Sequence, residues 1–403
     1  MDLYLKNPEF ELAKKICQTL QAKGFQALLA GGCVRDFLLK RQPNDFDVAT
    51  SATPDQVEAL FSKTIAVGKN FGVIVVIDGD QQVEVATFRK DGPYKDGRRP
   101  ETVEFSEAKE DAERRDFTVN GLFYDLQTQQ VIDYIGGEKD LWQKSIRAIG
   151  NAGKRFEEDH LRLLRAVRFA AQLGFQIESE TLRALEASRS LIATVSGERI
   201  QEEMRKLLTS PDPLTGLEIL YRSGLLASLL SEENLRWIPP DNIWRRQEKT
   251  DEDSWYRFFL WLKSVLAPVT PIKEFEALCD RWKFSKDLKQ KTLKALQWSY
   301  EEKPFATHSL GELLSLSYEP EQLRGLLESA EQNLQLEEKL KFEEFQKRRQ
   351  ELGPQKPKPW VTASDLIDKL QGEALGQALK ACYWEQLEGK VKNKEDLIEK
   401  WRK

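Results

Sequence analysis

Apolar residues recur at helical spacing from the start of the chain: Leu12, Ile16 and Leu20 predict a helix over 8–24, stopped by Gly24. The run Ala27–Ala30 then predicts a strand, leading into Gly31-Gly32 and a short helix around Val34 to Leu39. Further strands are expected at Asp45–Ala49, Val73–Ile77 and Val83–Phe88, the last two joined at Asp78-Gly79-Asp80 as a hairpin. The first 150 residues therefore read as mixed α and β. From Phe156 onward strand signals nearly vanish, and helices are expected over 156–174, 179–192, 197–208 and 213–222, with more to the end. Pro239-Pro240 and the stretch 268–271 read as breaks, and 332–350 as a long helix with a solvated charged face. The proline-rich stretch 353–359 reads as a stiff linker before a last helical segment.

Composition narrows the chemistry. At 403 residues the chain allows two to four domains, and 40% apolar with 32% charged residues suits a globular protein. The longest apolar runs, such as 73–77, are far too short to span a bilayer, and residues 1–20 lack a signal-peptide pattern. Four cysteines without CxxC spacing fit reduced thiols, so a cytoplasmic location is expected. With His160 and His308 as the only histidines, a three-histidine zinc site is impossible. Chemistry must run on carboxylates and arginines, alone or with a hard metal. The net charge of −5 advertises no general affinity for nucleic acid, so such a partner must be met by a local patch.

Four stretches carry chemistry. In Gly31-Gly32-Cys33-Val34-Arg35-Asp36, two glycines between strand and helix can offer backbone N–H groups to a phosphate. Asp45 and Asp47 stand two apart, so on a strand they share a face and can hold a cation such as Mg2+; a solvated acidic strand is the alternative. Glu84, alone in an apolar strand, is the candidate third carboxylate, unless it faces water at a hairpin edge. Two metals on such a cluster would polarise an attacking 3′-hydroxyl and neutralise leaving pyrophosphate.

Arg114-Arg115-Asp116-Phe117-Thr118-Val119-Asn120 offers cations for phosphate oxygens and short polar groups for ribose hydroxyls, with helix capping as a compatible reading. Asp159, Arg162, Arg165 and Arg168 recur every three residues in the expected helix 156–174, so one face would carry a carboxylate and three guanidiniums. That pair of groups can address the Watson–Crick edge of a base, and the later arginines phosphate. His160 lies off this face and is read as structural.

GGxVRD, DxD, RRDFTxN and EDxxR followed by RAVRFA, in this order over about residues 28–175, resemble the class II CCA-adding tRNA nucleotidyltransferase and bacterial poly(A) polymerase family. Gly197-Glu198-Arg199-Ile200 is similar to its next motif, which stabilises the neck, and 361–403 to its tail. The resemblance implies an α+β fold: a polymerase-β-like nucleotidyltransferase head with a small mixed sheet over 1–150, then an all-helical neck (151–225), body (226–330) and tail (331–403). It implies that Asp45 and Asp47 are metal ligands with Glu84 as third carboxylate. Asp116 and Asn120, with Arg115 nearby, would read the ribose. Asp159 and Arg162 would pair with CTP or ATP as a protein template, Arg165 would contact triphosphate, and Asp133–Gly137 would be the hinge between head and neck. The implied partner is the tRNA acceptor arm, and the implied reaction is addition of CCA with release of pyrophosphate.

Within that family, enzymes adding only CC typically lack a flexible loop after the hairpin, whereas Arg89–Phe105 looks like that loop intact. Poly(A) polymerases tend to show a Gly-Arg-Arg-Phe-type segment where this chain reads Gly68-Lys69-Asn70-Phe71-Gly72. Full CCA addition is thus the expected activity, and addition of the final A alone the alternative. The two histidines, neither in a His-Asp pair, exclude the phosphohydrolase domain of some longer relatives.

Overall fold

A computed structural model describes residues 7–43, 45–240, 251–266, 271–298, 308–317 and 336–402. Asn44, the break at 268–270 and the first residues of the expected helix 332–350 lie outside the described residues. The chain divides into two compact units, 1–241 and 242–403.

The first unit opens with α1 (Pro8–Ala22), started by Asn7, whose side chain accepts from the N–H groups of Glu9 and Phe10. Its apolar stripe buries Phe10, Leu12, Ile16, Cys17 and Leu20, and Gly24 follows at φ +86°, as its expected stop. There follow β1 (Ala27–Ala30), α2 (Gly32–Leu38), β2 (Asp47–Thr50), α3 (Pro54–Leu60), β3 (Thr64–Gly68), β4 (Val73–Asp78) and β5 (Gln81–Thr87). After a short ribbon, β6 (Arg89–Asp91) with β7 (Val103–Phe105), come α4 (Ala108–Glu113), β8 (Phe123–Asp125), β9 (Gln130–Ile132) and α5 (Gly137–Trp142).

Seven strands form one mixed sheet in the order β3-β4-β5-β2-β1-β8-β9. β4 and β5 make the expected hairpin, pairing Asp78 with Gln81 around a two-residue turn in which Gly79 takes φ +61°. β2 runs antiparallel to β1 and parallel to β5, so Ala30, Asp47 and Glu84 stand in one row across three strands. Partners in register point to the same face. Ala27, Leu29, Val48, Val83 and Val85 enter the core under α1, while Leu28, Ala30, Ala49 and Phe123 pack with Ala108 and Ala112 of α4 on the other face. Each such Leu, Val or Phe side chain contributes roughly 1.5–3 kcal/mol of burial, and each Ala methyl less. Asp47 sits where the apolar surface of that second face ends.

The helical part continues with β10 (Ser145–Ile146), α6 (Ala152–Glu158), α7 (Arg162–Leu173), β11 (Gln176–Ile177), α8 (Ser179–Ser188), α9 (Gly197–Leu208), α10 (Pro213–Arg222) and α11 (Leu225–Leu230). One expectation is corrected here: the helix over 156–174 is two helices. Asp159 has φ −137° and ends α6, and its Oδ1 accepts from Leu161 N–H as the chain re-enters a helix at Arg162. An Asp side chain competes with the helical backbone for such N–H groups, and here it wins.

The second unit is helical in its described residues: Asp251–Val265, Ile272–Arg281, Lys286–Trp298, Leu310–Leu316, Leu336–Leu352, Ala363–Leu366, Gly372–Glu388 and Lys394–Arg402. Trp255, Phe258, Phe259, Phe275 and Trp282 are fully buried together, with the rings of Trp255 and Phe284 4.6 Å apart. The proline-rich stretch before the last helices is held down: Tyr383 Oη donates to Pro357 O at 2.9 Å and Gln386 Nε2 to Lys358 O at 2.9 Å. No helix among the described residues is long and apolar enough to cross a membrane.

Candidate active site

A cleft of about 1020 Å3 in the first unit is lined by Gly31, Gly32, Arg35, Asp45, Asp47, Arg115, Asp116, Asn120, Asp159, Arg162, Arg165 and Arg168. Glu84, the candidate third carboxylate, and Thr118 are absent from its wall.

At one end, β1 turns through Gly31 at φ +74° into α2, and Arg115 Nη1 lies 2.9 Å from where a Cβ on Gly31 would stand. A side chain there would crowd that guanidinium, and the positive φ of Gly31 disfavours every residue but glycine. Arg35 is buried, gripping Asp36 with Nε and Nη2 at 2.8 and 2.9 Å and donating from Nη1 to Asn120 Oδ1 at 2.6 Å. Asn120 Nδ2 donates to Asp116 Oδ1 at 3.2 Å, and Asp116 Oδ2 accepts from Arg165 Nε and Nη2 at 2.8 and 2.6 Å. A polar chain thus crosses from α2 to α7. Burial raises the Asp116 carboxyl, but Arg165 beside it outweighs this and brings it down to about 2.

Asp45 is exposed and Asp47 half-buried, on either side of buried Phe46. Burial, then the negative charges of Asp45 and Glu84, push the Asp47 carboxyl up to about 7, with Arg115 opposing. This donor set suits a hard cation, whose charge would offset that mutual repulsion. Among the described residues, no three His, Cys, Asp or Glu side chains are gathered at ligating distance. Glu84 stands opposite Asp47 in the ladder but is exposed.

The arginines of α7 are individually seated. Arg162 donates from Nη1 to Glu158 Oε2 at 2.6 Å and from Nη2 to the Arg114 carbonyl at 3.1 Å. Arg168 pairs with buried Glu203 of α9 at 2.5 Å, and the guanidiniums of Arg35, Arg165 and Arg168 lie 5.5, 5.2 and 3.8 Å from the Phe169 ring centroid. Asp159 precedes the helix instead of sharing its face, and both its oxygens accept from Arg199 Nη2 at 3.0 Å. The Arg199 motif thus reaches the carboxylate expected to read a base.

The stretch Arg89–Phe105, expected as a loop, is an arm built on the β6–β7 ribbon. Its tip rests on His160: His160 N–H donates to Gly97 O at 3.0 Å, Gly97 has φ +64°, and a Cβ there would overlap the imidazole. His160 Nδ1 is 2.6 Å from Thr194 Oγ1, whose hydroxyl donates to Leu191 O. A second cavity of about 440 Å3 lies under the arm, between Phe71, Tyr94, Arg98, Arg99, Arg114, Asp159 and Arg162.

Sequence reasoning missed Glu158, Glu203 and Asp111, the carboxylates that seat these arginines. Glu158 and Asp111 had a readable signal, since they precede Arg162, Arg114 and Arg115 by three or four residues. Glu203 had none, because it comes from another helix.

A mixed sheet carrying Asp-x-Asp beside a two-glycine turn, followed by a helical array, defines a nucleotidyltransferase. The family model described as "Poly A polymerase head domain" matches residues 27–147, and that described as "Probable RNA and SrmB- binding site of polymerase A" matches 174–234. A CCA-adding enzyme of Bacillus velezensis is 40% identical over 278 residues, 68% of either chain. That of Enterococcus faecalis is 33% identical over 413 residues, covering 97% of this chain and 95% of its own. The crystal structure of the Bacillus stearothermophilus CCA-adding enzyme in complex with CTP superposes with a TM-score of 0.76 at 30% identity, over 98% of each chain. The chain belongs to the family of CCA-adding enzymes.

Proposed function

We infer that this protein completes the 3′ end of tRNA, adding C, C and A from CTP and ATP. The observation that carries the reading is the gathering of the two-glycine turn, Asp45, Asp47 and the arginines of α7 in one cleft, in a chain of this family. In each cycle the 3′-oxygen of the RNA forms a bond to the α-phosphorus of the nucleotide, the α–β bridging P–O bond breaks, and pyrophosphate leaves.

Asp45 and Asp47 would hold Mg2+, with Glu84 adding negative charge from the neighbouring strand; bound there, the metal lowers the pKa of the attacking hydroxyl and offsets phosphate charge. Arg35 and Arg115 flank the Gly31-Gly32 turn and receive triphosphate oxygens. Asp116 and Asn120 face the ribose, and Asp116 holds Arg165 in place for the phosphates. Asp159 offers acceptors and Arg162 donors to the edge of the incoming base, each braced from behind, by Arg199 and Glu158. Such preset groups select a nucleotide by leaving polar atoms unpaired when the wrong base enters.

The test presents purified protein and Mg2+ with tRNA lacking CCA and with tRNA ending in CC, each with CTP, ATP or both. Completion of both RNAs to CCA, followed by a stop, is the expected result. A single A added only to the CC-ended RNA would make the protein an A-adding specialist, and long A tails a poly(A) polymerase.

A further inference from the structure

Asp111, so far named only as a seat for arginines, is 1% exposed beside the cleft and holds three arginines from two segments of the chain. Its Oδ1 accepts from Arg114 Nε and Nη2 at 2.9 and 2.6 Å and from the Arg89 N–H at 3.3 Å. Its Oδ2 accepts from Arg115 Nε and Nη2 at 3.2 and 3.0 Å. Burial raises this carboxyl, but Arg115 and Arg114 more than compensate and hold it below the usual range.

What Asp111 holds faces the cleft and the cavity under the arm. Arg115 has its remaining Nη1 against the Gly31 turn and bonded to Asn120 O at 3.3 Å. The Arg114 carbonyl anchors Arg162 Nη2, and Arg114 lines both the cleft and the cavity under the arm. Arg89, the third group, is the root of that arm. Guanidiniums already fixed by a buried carboxylate lose little rotamer freedom when they meet phosphate.

We propose that Asp111 is a positioning residue for the nucleoside triphosphate, setting Arg115 at the phosphate turn and, through the Arg114 main chain, Arg162 at the base. The proposal rests on the cleft being the nucleotide site. It is tested in the full-length protein with Asp111→Asn, which removes the charge, and Asp111→Glu, which keeps the charge but displaces it by one methylene. Steady-state rates are measured with CTP and ATP varied separately, alongside melting temperature and RNA affinity. A KM raised about tenfold for both nucleotides, with RNA affinity within about twofold of the parent, is expected.

KM does not depend on the fraction of molecules folded, so a merely structural role would lower apparent kcat and leave KM unmoved. Unchanged KM values in Asp111→Glu overturn the proposal, including when Asp111→Asn fails to fold. Direct titration of CTP onto the parent and Asp111→Glu proteins, read by calorimetry, separates this from failure of the functional reading. A parent that binds CTP but extends no RNA would sink the latter, while equal CTP affinity in both proteins would sink the former.

Discussion

The carboxylate of Asp116 accepts two hydrogen bonds from the Arg165 guanidinium, at 2.8 and 2.6 Å, joining the segment after α4 to α7 across 49 residues of sequence. Because Arg165 brings the folded-state carboxyl to about 2, below its unfolded value near 3.9, the pair's stabilisation is complete above about pH 4. It is lost as pH falls through about 2, and amounts to on the order of 2 kcal/mol. Urea unfolding between pH 5 and pH 2 should show this loss in the parent, and a shallower one in Asp116→Asn.

Asp47→Ala should abolish nucleotide addition while leaving RNA binding nearly intact. Loss of a metal-holding carboxylate should cost more than the 10- to 100-fold typical of outer-shell partners, so a fall of about two orders of magnitude or more is expected. Single-turnover extension and filter binding on one preparation check both halves, and full activity would refute the metal assignment.

Arg162→Ala should relax the choice between CTP and ATP more than it slows transfer if, as proposed, Arg162 addresses the base. Arg199→Ala should do the same in milder form, since it frees Asp159 from its two 3.0 Å contacts. The ratio of kcat/KM for the two nucleotides is the measurement; an expected change of about tenfold for Arg162→Ala corresponds to one charge-assisted hydrogen bond. An unchanged ratio would rule out the templating role.

Gly97→Ala should lift the arm from His160, because a Cβ would overlap the imidazole and φ +64° disfavours alanine. Arg98 and Arg99 at the tip are already exposed. Limited trypsin digestion should therefore cleave there several-fold faster than in the parent, with little change in melting temperature.

Glu203→Ala should destabilise the first unit by about 3–5 kcal/mol, since it leaves buried Arg168 without its partner at 2.5 Å. Chemical denaturation measures this. A loss below about 1 kcal/mol would mean that water replaces the pair.

The sequence by itself determined most of the local elements and named most of the charged residues that line the cleft. The stripe Leu12, Ile16, Leu20 and the stop at Gly24 suffice for α1, because helical spacing and a left-handed glycine are local properties. The hairpin at Gly79 and the three arginines of α7 were equally legible, whereas the strand expected over Asp45–Ala49 begins only at Asp47, with Asp45 just before it. Short strands such as β3, β8 and β9 were not read, since a few residues of weak pattern gain their pairing only from the sheet.

The tertiary structure decided which carboxylate meets which arginine. From spacing, Asp159 belonged with Arg162; in the fold Asp159 turns to Arg199, while Arg162 is taken by Glu158, Arg165 by Asp116 and Arg168 by Glu203. A charge run specifies that partners are needed but not their identity. Burial makes an unpaired guanidinium costly, and packing of α7 against α9 and the Asp116 segment determines which acceptors are within reach.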